Sequence, residues 1–121
     1  MTLTHITVNS PTSQYPVVIG SGALQALPDL LQERNLKGKI AIITNTTIAA
    51  LHGNDLAARI GATVIAVPDG EAYKTLDTVR TLYEQMIEAR LDRNSVVIGL
   101  GGGVIGDMAG FAAATFLRGV A

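Results

Sequence analysis

Three runs of apolar residues constrain this chain more than any other feature: KIAIIT at 39–44, ATVIAV at 62–67 and SVVIGL at 95–100. None alternates apolar with polar residues, so each reads as a strand buried on both faces. Helical patterns separate them, at 48–60 and at 75–90. In the second, Leu76, Val79, Tyr83 and Met86 form one face, which Leu82 and Ile87 widen. After the third run, residues 104–116 read as a small-residue helix suited to lying close against another element. The order β-α-β-α-β-α implies a parallel sheet with right-handed crossovers. Ahead of it, residues 4–9 alternate and 15–19 follow a turn at 11–13, which predicts an antiparallel hairpin or edge ribbon. Residues 24–36 carry leucines at helical spacing, with Pro28 early in the helix or between two turns of it. The expected fold is α/β: a Rossmann-like, mostly parallel sheet flanked by helices, with a peripheral antiparallel N-terminal strand pair.

Composition narrows the function. A chain of 121 residues fits one domain, and 48% hydrophobic residues are enough for a core. That core is aliphatic, because aromatics make up only 4%. A net charge of −1 leaves no footprint for nucleic acid or an anionic membrane. There is no Cys, which excludes disulfides and thiolate metal sites and fits a reducing cytoplasm. The N-terminal residues have neither a basic nor an apolar signal region, and no apolar run reaches the roughly 18 residues of a membrane span. The expectation is a soluble cytoplasmic domain with no nucleic-acid and no membrane partner.

Polar and glycine residues cluster just after the apolar runs, where open parallel sheets bind ligands. LGGGVIGD at 100–107 follows the third run and opens the last helix. Glycine lets the backbone turn tightly and approach a ligand, while free N–H groups at a helix start can bind a pyrophosphate. Gly101, Gly103 and Gly106 satisfy G-x-G-x-x-G, but on the third strand of the series and without an acidic residue about 20 positions later. A diphosphate site and a purely packing role both fit that spacing. Asp107 reads either as a first-turn carboxylate favoured by the helix dipole or as an acceptor for ribose hydroxyls or a carboxamide. In DGEAYKT at 69–75, Glu71 can accept two ribose hydroxyls, and Lys74 can supply charge to a phosphate or orient Glu71. A solvated ion pair on a surface turn is the plainer reading. TNTT at 44–47 offers Thr46 or Thr47 as a helix cap, or small polar contacts to an adenosine. His5 and His52 lack partners at metal-ligand spacing and read as surface or structural residues. Arg118 is a lone cation among apolar residues, suited to a helix terminus or an anion.

Taken together, PDGEAYKTLDT, LDRNSVVIGLGGGVIGDMAGFAAATFLRGV and IITNTTIAALHG resemble the N-terminal NAD-binding part of the 3-dehydroquinate synthase family, in order and over essentially the whole chain. The resemblance implies NAD as cofactor. Asp69, Gly70, Glu71, Ala72, Tyr73 and Lys74 would line its adenosine side. Gly102, Gly103, Val104, Ile105, Gly106 and Asp107 would hold the diphosphate and the nicotinamide ribose. Thr44, Asn45 and Thr46 would be further NAD contacts, and Arg118 would touch the sugar-phosphate substrate.

The implied reaction turns 3-deoxy-D-arabino-heptulosonate 7-phosphate into 3-dehydroquinate and phosphate, with NAD reduced and reoxidised within one turnover. The family also implies a divalent metal, zinc or cobalt, in a later helical domain, and a homodimer. On that reading residues 1–121 are a truncated NAD-binding domain without catalytic or metal-ligating residues of its own. Alone it is expected to be inactive and to self-associate through its open sheet. Another NAD-dependent cyclase, of the 2-deoxy-scyllo-inosose or valiolone type, fits the same glycine loop. Glycerol dehydrogenase-like enzymes match DGE-x-x-K less well. A non-catalytic nucleotide-binding or self-associating module is the reading from a different class.

Overall fold

The three apolar runs form one parallel sheet, of strands β3 (Ile40–Asn45), β4 (Thr63–Val67) and β5 (Val96–Gly99), in the order β4-β3-β5. A computed structural model describes residues 2–121, as two compact units that divide between Asn35 and Leu36. The register sets Ile43 opposite Ile65 on one side and Gly99 on the other. The runs do not alternate because both faces are covered. Ala41, Ile43, Ile65 and Val67 pack into one core with α4 (Leu76–Glu88) and α5 (Gly103–Thr115). Ile42 and Thr44 point the opposite way, as neighbours in a strand must, and are fully buried too.

The connection between β3 and β4 covers that second face, and it departs from a simple helix over 48–60. It starts at Thr46 as α2 (Thr46–Ile48), passes through a π-helical turn (Ala49–Gly53) and finishes as α3 (Asn54–Ile60). Its cap is Asn45, not Thr46 or Thr47: the Asn45 Oδ1 accepts the Ile48 N–H at 2.8 Å. The threonines cannot cap because they already lie inside the first turn. The far end closes at Gly61, whose φ of 69° suits glycine.

In α4 the buried residues are Val79, Leu82 and Met86, whereas Leu76 and Ile87 are 76% and 65% exposed. At 3.6 residues per turn the buried three span about 60° of the helix; Leu76 and Ile87 fall about 60–80° beyond Val79. A face of three short strands covers only the first arc. Helix α5 begins at Gly103, one residue before the expected start, and gives way to a tight turn at Phe116–Arg118. Its small residues let it close on the sheet, where a Cβ at Gly99 would come within 3.0 Å of the Ala109 Cβ.

The first unit holds β1 (Thr4–Asn9) and β2 (Gln14–Ile19), paired antiparallel with Thr4 opposite Ile19. Ser10 and Ser13 fasten the turn between them. The helix expected over 24–36 is a 3-10 turn (Ala23–Ala26) followed by α1 (Leu27–Glu33). Pro28 lies in the first turn of α1, where its missing N–H leaves no helical bond unmade.

Packing in α4 gives a direct test. Leu82→Ala, at a fully buried site, should lower unfolding free energy by about 2–5 kcal/mol. Ile87→Ala should change it by less than about 0.5 kcal/mol. Urea denaturation of both variants checks this.

Candidate functional site

Because β3, β4 and β5 run parallel, their carboxyl ends meet along one edge of the sheet. The central strand reaches both neighbours there. The Thr44 hydroxyl donates to the Leu100 carbonyl at 2.7 Å, on the β5 side. The Asn45 Nδ2 donates to Asp69 Oδ1 at 3.2 Å, on the β4 side. Thr47 adds a longer bond, 3.4 Å, to Asp69 Oδ2. Between the two loops lies a crevice of about 160 Å³, lined on one side by Asn45, Pro68, Asp69 and Gly70. Gly102, Gly103, Val104 and Ile105 line the other side.

The glycines of this loop divide into two kinds. Gly101 is structural: a Cβ there would meet the Ile105 side chain at 3.0 Å. At Gly102 and Gly103 a Cβ would meet no protein atom within 4 Å. Both line the crevice, so a side chain there would fill only the space left to a ligand. No side chain caps α5, and Gly106 N–H makes the first helical bond, to Gly102 O at 3.0 Å. The N–H groups of Gly103, Val104 and Ile105 therefore stand free at the positive end of the helix, as an anion requires. A diphosphate fits this donor set, in a cradle without side chains.

Asp107 is the fifth residue of α5 and not part of its first turn, because the helix starts at Gly103. Its stabilising partner is Lys74, whose Nζ lies 2.8 Å from Asp107 Oδ2. This ion pair joins the two sequence motifs across the edge of the sheet. The hydrogen bond to Asp107 raises the Lys74 pKa above its ordinary 10.5, with the charges of Asp107 and then Glu71 acting in the same direction. Lys74's share of the interaction is therefore present while it is charged and is lost as pH rises through the raised value. Lys74 is solvent-accessible, so the pair orders the loop more than it stabilises the fold. Glu71, Ala72 and Tyr73 form a single exposed 3-10 turn just before it. A second cleft, of about 280 Å³, shares Lys74 and Asp107 and is otherwise mostly apolar, with Leu76, Val79, Met108 and Phe111.

Most residues singled out by sequence converge on this edge, with two exceptions. Thr44 is fully buried, so its side chain cannot touch a ligand; Asn45 and Thr46 are the accessible members of that run. Arg118 sits beyond the far end of α5 and is not among the residues that line the crevice. It follows Leu117 in a left-handed backbone, with φ of 51° and 66°. Pro68 as a crevice wall and Thr47 as a partner of Asp69 were missed by the sequence reading. The hydroxyl run after β3 was the available signal for Thr47; nothing local marks Pro68 as more than a turn residue. His5 and His52 are exposed, as expected. Among the described residues no group of three His, Asp or Glu side chains could hold a metal, and no helix is long and apolar enough to cross a membrane.

Comparison with known proteins agrees with this geometry. Residues 64–121 match the family model described as 3-dehydroquinate synthase N-terminal. The 3-dehydroquinate synthase of Pelobacter propionicus is 43% identical over 120 residues, 95% of this chain and 33% of that protein. The chloroplastic 3-dehydroquinate synthase of Solanum lycopersicum is 43% identical over 125 residues, 97% of this chain and 28% of that protein. Among solved structures, a 2-deoxy-scyllo-inosose synthase complexed with carbaglucose-6-phosphate, NAD+ and Co2+ superposes with a TM-score of 0.84. It is 26% identical and covers 98% of this chain, which covers 34% of it. The chain thus spans about a third of the length of the relatives it matches. By its matched residues and its relatives, the chain is similar to the N-terminal third of 3-dehydroquinate synthases.

Proposed function

We propose that this chain forms the NAD-binding side of a 3-dehydroquinate synthase, which converts 3-deoxy-D-arabino-heptulosonate 7-phosphate into 3-dehydroquinate and phosphate. The observation that carries the reading is the crevice between Asp69–Gly70 and the side-chain-free edge at Gly102 and Gly103, under three unpaired helical N–H groups. The solved relative bound to NAD+ supports the choice of ligand, and the 43% identity to dehydroquinate synthases supports the choice of reaction.

On this reading each residue has a defined part. The N–H groups of Gly103, Val104 and Ile105 take the diphosphate oxygens, and Gly102 and Gly103 let them come close. Glu71 accepts two ribose hydroxyls from the exposed turn. Lys74 holds Asp107 oriented as an acceptor beside the start of α5. Asn45 and Thr47 keep Asp69 in place at the opposite wall. When bound, NAD supplies a reversible sink for hydride. The divalent metal expected of the family has no ligand set among the described residues, so no step is assigned to it here. The protein is expected to act as a homodimer. The second reading, a 2-deoxy-scyllo-inosose-type cyclase, is favoured by the fold likeness alone, at 26% identity.

Two outcomes test the proposal in the intact protein that carries this chain. Calorimetric titration should show Glu71→Ala and Asp107→Ala weakening NAD binding by about 1–3 kcal/mol each, the loss expected for a charged hydrogen-bond partner. Wild-type affinity in both variants would remove these residues from the site. A phosphate-release assay with NAD and Co2+ should show turnover of 3-deoxy-D-arabino-heptulosonate 7-phosphate. Turnover of an unrelated hexose phosphate in its place would favour the second reading.

A further inference from the structure

Thr44 is fully buried and does not line the crevice, yet it makes the only side-chain hydrogen bond among the described residues that reaches the β5 loop. Leu100 lies one residue past the end of β5, so no further ladder pair holds its carbonyl. Consecutive residues of β3 hold both of its backbone groups. Its N–H donates to the Ile43 carbonyl at 2.9 Å, and its carbonyl accepts from the Thr44 hydroxyl at 2.7 Å.

The Leu100 carbonyl shares a peptide plane with the Gly101 N–H, so fixing one orients the other. Gly101 is then hemmed in by Ile105, and Gly102 is tied to Gly106 by the first helical bond. The loop is thus held at its exit by the helix and at its entrance by the two bonds of Leu100, of which the Thr44 hydroxyl makes the one nearest Gly101. The rest of Thr44 is accounted for separately. Its β-branch suits a strand. Its methyl lies 3.5 Å from where a Gly53 Cβ would stand, filling the contact with the π-helical turn.

We propose that Thr44 is a positioning residue, whose hydroxyl sets the approach of the Gly101–Gly102–Gly103 backbone to the cofactor diphosphate without touching it. The inference rests on the NAD reading of the crevice. It assigns the hydroxyl, and not the methyl, to binding.

The test compares Thr44→Val, which keeps the shape and loses the hydroxyl, with Thr44→Ser, which keeps the hydroxyl and loses the methyl. Both are made in the intact protein, with NAD affinity and amide hydrogen exchange as readouts. Thr44→Val should bind NAD about tenfold more weakly and exchange faster at Leu100 and Gly106, the paired amides at either end of the loop, before NAD is added. Thr44→Ser should bind within about twofold of wild type. Wild-type affinity and exchange in Thr44→Val would overturn the proposal. If Thr44→Val does not fold, Thr44→Ser decides: retained affinity supports the hydroxyl, and a tenfold loss overturns it. Failure of wild type to bind NAD would sink the cofactor reading, while exchange at Leu100 and Gly106 would still test the clamp itself.

Discussion

The carboxyl edge of the sheet depends on the last two residues of its middle strand. Strand β3 lies between β4 and β5, so Thr44 and Asn45 are adjacent to both neighbouring loops at once. Strand parity sends successive side chains to opposite faces. Thr44 is buried and ties the β5 loop through Leu100; Asn45 is half-exposed and ties the β4 loop through Asp69. Asn45 also caps the helix that follows. Two short side chains therefore set the distance between the crevice walls and begin the next element. A buried hydrogen bond such as that of Thr44 is costly to leave unmade, which gives the arrangement its rigidity.

Much of this was legible in the sequence because burial on two faces leaves a strong mark. KIAIIT, ATVIAV and SVVIGL could not be half-solvated strands, and their spacing by helical patterns left a parallel sheet as the economical solution. The fold likeness to solved cyclases, with a TM-score of 0.87 even at 24% identity, agrees with that reading. What the residues could not show was parity at the strand end. A one-residue change of register exchanges a buried threonine for an accessible one, and TNTT reads alike either way. The exposed Leu76 and Ile87 were assigned to the core for a related reason. A helical face can be drawn broadly from sequence, but a three-stranded sheet covers only part of it.

The candidate site was legible in its parts more than in its connections. Gly102 and Gly103 carry no sign in the sequence that separates them from Gly101; only their surroundings distinguish an open cradle from a packing contact. Lys74 and Asp107 are 33 residues apart, and the packing of α4 beside α5 brings them together. That pair is the clearest link between two motifs that sequence had treated separately. Arg118, which the resemblance gives to the sugar-phosphate substrate and not to the cofactor, lies beyond the far end of α5.

The central claim is that the two strand-end loops form one cofactor crevice. The most direct measurement is the change in backbone amide NMR shifts as NAD is titrated into the isotopically labelled protein. The account predicts concerted shifts at Gly102, Gly103, Val104 and Ile105 and at Glu71 to Lys74, saturating with a single affinity. Saturable shifts confined to other surfaces, with these residues unmoved, would contradict it.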